Sequence, residues 1–222
     1  MEGNTHRITI ICGHYGCGKT NLALNLALER AAQGRAVTLA DLDIVNPYFR
    51  SSEYRALLEG QGVRVIAPVF AGTTLDTHTL PPELSAVFDP HAGEVFIDAG
   101  GDDAGVTALG GLHSSLEAAG YTMLYVVNRY RVLSQTAGEA VQLLGEIQQA
   151  SRLRATGIVN NSHLGVETKL ADLEQALPFA QEAARLTGLP LLYSTAPDFA
   201  LQGQPPPPGF RPVRRLVRFA WE

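Results

Sequence analysis

Along the chain, short apolar runs rich in β-branched residues alternate with longer stretches whose apolar positions recur at helical spacing. The short runs "RITIIC" (7–12), "AVTLAD" (36–41), "VRVIAP" (63–68), "EVFIDA" (94–99), "TMLYVVN" (122–128), "ATGIVN" (155–160) and "PLLYST" (190–195) predict seven strands. The longer stretches predict helices over about 19–33, 48–60, 107–119, 134–152 and 168–187. Several strands are apolar on both faces, the pattern of a parallel sheet covered by helices on both sides. Alternating strands and helices with right-handed crossovers give a three-layer α/β domain with a mostly parallel central sheet. Segment 69–92 has weak periodicity and reads as a loop with a short helix. The run "QPPPPG" (204–209) reads as a polyproline spacer, dividing the chain into a main domain, 1–203, and a short tail, 204–222. In that tail, "RPVRRLVRFAWE" sets Val213, Leu216, Val217 and Ala220 on one helical face, with Arg214, Arg215 and Arg218 elsewhere. Such a basic helix has three possible berths: its own domain, with Trp221 as anchor; an anionic membrane; or another partner.

Composition narrows the class. At 222 residues the chain suits one domain with a sizeable core, and its net charge of −5 argues against wholesale attraction to nucleic acid or anionic lipid. Cys12 and Cys17 are too close to staple the fold and lack the paired ligands of a zinc site, so a reducing compartment is expected. The start "MEGNTHRITI" has no signal-peptide core, and no run of about 18 apolar residues exists to span a bilayer. A cytoplasmic location follows as the expectation. His6, His78, His91, His113 and His163 show no metal-ligand spacing. Of the 17 basic residues only Lys19 and Lys169 are lysines, which makes a lysine inside a motif informative.

That motif is "GHYGCGKT". Gly13, Gly18, Lys19 and Thr20 satisfy G-x-x-x-x-G-K-[ST] between a predicted strand and a predicted helix, the context a phosphate-binding loop requires. Glycines let successive N–H groups converge on phosphate oxygens, and the helix adds the positive end of its dipole. The expected lining is Gly13, His14, Tyr15, Gly16, Cys17, Gly18, Lys19, Thr20 and Asn21, with Lys19 on the β- and γ-phosphates and the Thr20 hydroxyl on Mg²⁺. The plain alternative is a glycine-rich turn joining a strand to a helix. Acids stand at two further strand ends. "LADLD" carries Asp41 and Asp43, and "FIDAGG" is an apolar strand ending in Asp98, with D-x-x-G completed by Gly101. Ligands of α/β sheets sit beyond the carboxyl ends of the strands, so these acids converge on the loop if they do not simply cap helices or turns.

Taken together, "GHYGCGKTNLALNLA", "LADLD" and "FIDAGG" resemble the deviant-Walker P-loop NTPases, the SIMIBI class of CobQ/CobB/MinD/ParA-type nucleotide-binding proteins. The resemblance spans most of 7–200 and implies a three-layer P-loop NTPase fold, Mg²⁺-ATP binding, slow hydrolysis and nucleotide-dependent homodimerisation. It implies that Asp43 orients or polarises the attacking water, that Asp41 and Asp98 sit near the metal, and that Gly101 is a switch glycine sensing the γ-phosphate. One departure is plain: the family motif has a lysine that reaches the partner's nucleotide where this chain has His14, and a glycine where it has Tyr15. His14 either gains a proton beside phosphate, yields the role to Arg50 or Arg131 acting in trans, or only shapes the loop together with Tyr15.

Base preference and moving parts follow from what comes after the strands. Neither Asn128-Arg129-Tyr130-Arg131 nor Asn160-Asn161-Ser162-His163 supplies the aspartate of the guanine-reading N-K-x-D motif, so adenine is favoured. Asn160 and Asn161 are candidates for base contacts, their alternative being a strand-end turn. The glycine-dense "DAGGDDAGVTALGG" suits a switch loop, with Asp102 and Asp103 solvated or facing a partner. In "NPYFRSSEYR", Tyr48, Phe49 and Arg50 either form a second switch or pack into the core. Three functions fit: an ATP-driven switch read by an unidentified protein partner, an ATP-dependent phosphotransferase or ligase acting on a small molecule, and a non-catalytic nucleotide-binding module.

Overall fold

The computed structural model of the chain describes residues 6–42, 54–66, 82–100, 103–132 and 134–217. Eight strands form one sheet in the order β3-β2-β4-β1-β5-β6-β7-β8, and every pairing is parallel. They are β1 (Ile8–Gly13), β2 (Val37–Leu42), β3 (Val63–Ile66), β4 (Glu94–Ala99), β5 (Tyr121–Val127), β6 (Gly157–Asn160), β7 (Leu191–Pro197) and β8 (Phe210–Val213). The helices are α1 (Lys19–Ala32), α2 (Arg55–Glu59), α3 (Pro82–Ser85), α4 (Asp103–Ala119), α5 (Ala137–Ser151), α6 (Leu170–Gln175), α7 (Leu177–Thr187) and α8 (Asp198–Leu201). From β1 the chain runs outward to β2 and β3; from β4 it crosses over β1 and proceeds the other way. The reversal leaves a crevice at the carboxyl end of β1, where ligands of such sheets bind.

Both faces of the sheet are buried, as the doubly apolar strands require. Ile8, Ile10 and Cys12 of β1 point into one core, with Leu109 and Leu116 of α4, Leu144 of α5 and Phe179 of α7. Ile11 points the other way, into a second core with Leu22 and Leu26 of α1, Leu39 of β2 and Phe96 of β4. At about 25 cal/mol per Å² of apolar surface removed from water, these two layers are the main source of cohesion. A capping box starts α5: Glu139 N–H donates to Thr136 Oγ1 at 3.2 Å, and Thr136 N–H donates to Glu139 Oε2 at 2.9 Å. Among the described residues no helix is long and apolar enough to cross a membrane.

All seven predicted strands form, and the three-layer fold is the one expected. Three details differ. The single helix expected over 168–187 is divided into α6 and α7, with Ala176 between them and Pro178, which has no N–H to donate, in the first turn of α7. The glycine-dense segment is no loop from Asp103 onward: Gly105, Gly110 and Gly111 lie inside α4. Gly105 is there for close approach, since a Cβ on it would stand 2.4 Å from the Gly100 Cα. In the tail, Phe210–Val213 forms β8, a parallel edge strand against β7, where a helix was expected, and 214–217 is non-helical. Pro212 is tolerated because an edge strand has a side that owes no ladder hydrogen bonds. Tyr48, Phe49, Arg50, Asp102 and Trp221 lie outside the described residues, as do the side chain of Asp103 and the helical face expected beyond Val217.

Candidate nucleotide-binding site

The loop from Gly13 to Thr20 leaves β1 and turns directly into α1. Three of its glycines have positive φ: Gly13 at 149°, Gly16 at 73° and Gly18 at 93°. Gly13 has no room for a side chain, because a Cβ would stand 2.3 Å from the Val126 carbonyl oxygen. Gly18 caps α1 in the left-handed conformation, its carbonyl accepting from Leu22 N–H at 3.0 Å. Across the loop, Cys17 N–H and the Lys19 ammonium both donate to the His14 carbonyl oxygen, each at 3.2 Å. Lys19 is thereby held over the loop, 5 % exposed, with Thr20 beside it at the positive end of α1.

His14 and Tyr15 shape the rim. The His14 Nδ1 lies 2.9 Å from the Tyr15 carbonyl oxygen and must carry the proton to donate to it. Tyr15 projects outward, about half exposed. Cys17 is buried; loss of hydration is the main cause that pushes its thiol pKa up, and the same cause raises that of Cys12 to about 12. Both cysteines are therefore thiols that take no charge at neutral pH. Cys17 serves the loop through its backbone.

The acids converge as far as they are described. Asp41 of β2 and Asp98 of β4 are register partners, and Asp98 is also the register partner of Ile11 in β1. Neighbouring strands lie about 4.8 Å apart, so the two carboxylates stand side by side on the face that α1 covers. Both are buried. Two carboxylates and the Thr20 hydroxyl are all oxygen donors, a chemistry that would suit Mg²⁺ and not a soft metal. Among the described residues no three His, Cys, Asp or Glu side chains gather into a metal site of their own. Mg²⁺ would thus need phosphate oxygens to complete its shell, its usual arrangement in nucleotide sites. Asp43 and Gly101 lie outside the described residues.

Asn160, Asn161 and Asn21 are placed differently from what their candidacy as ligand contacts suggested. Asn160 donates to Ser194 Oγ at 3.0 Å and accepts from Ser162 Oγ at 2.6 Å. Asn161 donates to the Cys17 carbonyl at 2.7 Å and accepts from Thr195 Oγ1 at 2.5 Å. Each is 2 % exposed; Asn161 braces the loop from below, while Asn160 ties the end of β6 to β7 and to the turn that follows. Asn21 is committed to the tail: its Oδ1 accepts from Leu216 N–H at 2.8 Å and Val217 N–H at 3.2 Å, while its Nδ2 donates to the Arg214 carbonyl. One turn on, Asn25 accepts from Arg214 N–H at 2.8 Å and donates to the same carbonyl at 2.9 Å.

A cleft of about 360 Å³ opens over this loop, the size of a small-ligand site. Sequence reasoning missed its far wall, to which the turn after β6 gives His163 and Val166, α8 gives Phe199, and the tail gives Val213, Arg215 and Val217. Only the isolated apolar and cationic residues of those segments could have signalled it, and they carry no motif. The His163 pKa is lowered to about 4, first by burial of the ring and then by the Arg131 and Arg215 cations. Gly165 N–H points at His163 Nδ1 from 3.3 Å, consistent with a neutral ring.

No protein-family model matches the chain, and no curated protein resembles it in sequence. Solved structures do resemble it in fold. The cell division protein FtsY of Thermotoga maritima superposes with a TM-score of 0.54 at 18% identity, covering 87% of this chain and 62% of that one. The signal recognition particle receptor FtsY of Elizabethkingia anophelis, in complex with GDP, gives 0.57 at 14% identity, covering 88% and 58%. The signal recognition particle 54 kDa protein of Aeropyrum pernix, also in complex with GDP, gives 0.55 at 18% identity, covering 87% and 42%. The chain thus spans less than two thirds of the length of each. The chain shares the fold of these proteins.

Proposed function

We propose that this chain is a Mg²⁺-dependent P-loop NTPase of the CobQ/CobB/MinD/ParA type, binding ATP and closing as a homodimer that a partner protein reads. The observation that carries the reading is the register pairing of the buried Asp41 and Asp98, with Asp98 opposite Ile11, two residues before the loop that leads to Lys19 and Thr20 at the positive end of α1. The loop amides and Lys19 would hold the phosphates, with Lys19 exchanging the His14 carbonyl for phosphate oxygens. Thr20, Asp41 and Asp98 would hold Mg²⁺, which supplies charge neutralisation on the phosphates. Asp43 would orient the attacking water. Adenine is supported by the lack of an aspartate among Asn160-Asn161-Ser162-His163. The second reading, transfer to a small-molecule acceptor, is favoured by one feature: His14, with its ring donating within the loop, stands where the family has its cross-dimer lysine.

Solution mass by light scattering tests the reading, with Mg²⁺-ADP and then with non-hydrolysable ATP and GTP analogues. A dimer that forms only with the ATP analogue is expected. A monomer throughout, with nucleotide bound, overturns the dimeric switch and favours the acceptor enzyme. A response to GTP alone overturns the choice of base.

A further inference from the structure

Arg131 stands over the phosphate loop. Its Nε, Cδ and Cζ would lie 3.7, 3.8 and 3.9 Å from a Cβ placed on Gly16, so the planar guanidinium covers the backbone that this glycine leaves bare. It lines the same cleft as Gly16, Gly18, Lys19 and Thr20. The turn that carries it is braced throughout. Arg131 N–H donates to the Asn128 carbonyl at 3.1 Å, and Ser134 Oγ donates to that carbonyl at 2.8 Å. The buried Asn128 amide donates to the His163 carbonyl at 3.3 Å, while the Tyr130 hydroxyl donates to the Asp172 carbonyl at 2.7 Å. Among the described residues no carboxylate pairs with this guanidinium. A hydrogen-bonded turn thus presents to the loop a guanidinium that pairs with no carboxylate among the described residues, on an exposed side chain.

We infer that Arg131 is a phosphate-contacting residue acting in cis, supplying from the same chain a second cation beside Lys19. This rests on the nucleotide-site reading above. A guanidinium suits the task because its fixed fork of donors matches phosphate oxygens and it stays charged at any working pH. His14 Nδ1 is engaged within the loop, donating to the Tyr15 carbonyl. Arg131 needs no second protomer to reach the loop.

The test uses the full chain and titrates mant-ADP, mant-GDP, the matching triphosphates and the bare nucleosides against wild type, Arg131→Ala, Arg131→Lys and Lys19→Ala. In Arg131→Ala, di- and triphosphate affinity should fall roughly tenfold, on the scale of one charge-assisted hydrogen bond. Nucleoside affinity should stay unchanged, and Arg131→Lys should restore part of the loss. Thermal unfolding of Arg131→Ala should match wild type, since the side chain is exposed. Unchanged phosphate affinity overturns the inference. So does recovery of turnover on mixing Arg131→Ala with Lys19→Ala, which would place the arginine across a dimer. A wild-type chain that binds no nucleotide overturns the site reading itself, and this inference falls with it.

Discussion

The side-chain amide of Asn161, at the end of β6, donates to the carbonyl oxygen of Cys17 inside the phosphate loop at 2.7 Å. Its oxygen is held by Thr195 of β7 and its backbone N–H by the Val127 carbonyl of β5 at 2.8 Å. One residue therefore locks three strand ends to the loop. Asn161→Ala should leave the Cys17 carbonyl and the Thr195 hydroxyl buried without this partner. Stability should fall by about 1–3 kcal/mol in urea unfolding, the cost of the lost Cys17 bond, while the Thr195 hydroxyl keeps its longer bond to the Asn160 carbonyl. A loss below about 0.5 kcal/mol would show that the bracket is not cohesive.

Gly18 is the tightest point of that bracket. A Cβ there would stand 2.2 Å from Asn161 Nδ2, on a residue whose φ of 93° already disfavours any side chain. Gly18→Ala should displace Asn161 and cost more than Asn161→Ala, and the double variant should cost less than the sum of the two. Strict additivity in urea unfolding would contradict the geometry.

Asp98→Asn keeps the shape of the buried pair with Asp41 and removes one charge. The chain should stay folded in urea unfolding, since the amide keeps the volume of the carboxylate. The Mg²⁺ needed for half-maximal turnover should rise by at least 10–100-fold, since even outer partners of a metal cost that much. An unchanged Mg²⁺ requirement would remove Asp98 from the metal site.

His163 links stability to pH. Its folded pKa of about 4 is below its ordinary 6.5, so the unfolded chain binds more protons between those values. Its contribution is complete above pH 6.5 and is lost as pH falls toward 4, on the order of 3 kcal/mol. His163→Asn retains an acceptor for Gly165 N–H but cannot titrate, and should flatten urea-unfolding stability across that window. A profile as steep as wild type would assign the pH dependence to other groups.

The loop was legible because its information is local: glycines, lysine and threonine fall within eight consecutive residues, between an apolar strand and an amphipathic helix. Asp41 and Asp98 were legible because each ends an apolar run. The roles of Asn21 and Asn161 were not, because their partners lie 195 and 144 residues away and an amide in sequence does not say what it will bond. The strand β8 was hidden for another reason. An edge strand needs one neighbour and tolerates Pro212 and Arg211, so "FRPV" lacks the apolar density that marks β1 or β4.

Asn21→Ala with Asn25→Ala would remove five hydrogen bonds between α1 and residues 214–217. Amide exchange at Leu216 and Val217 should quicken by about tenfold or more, with little change in the strand interior. Unaltered exchange would mean that apolar packing alone secures the tail.

That clasp also imposes a timetable on biosynthesis. The asparagines of α1 leave the ribosome 189 to 196 residues before the backbone they hold. At 5–20 residues per second, the interval is roughly 10–40 s. For that time the nascent chain carries a complete loop motif beside a cleft with one wall missing. The cleft therefore gains its far wall only after residues 213–217 have been translated.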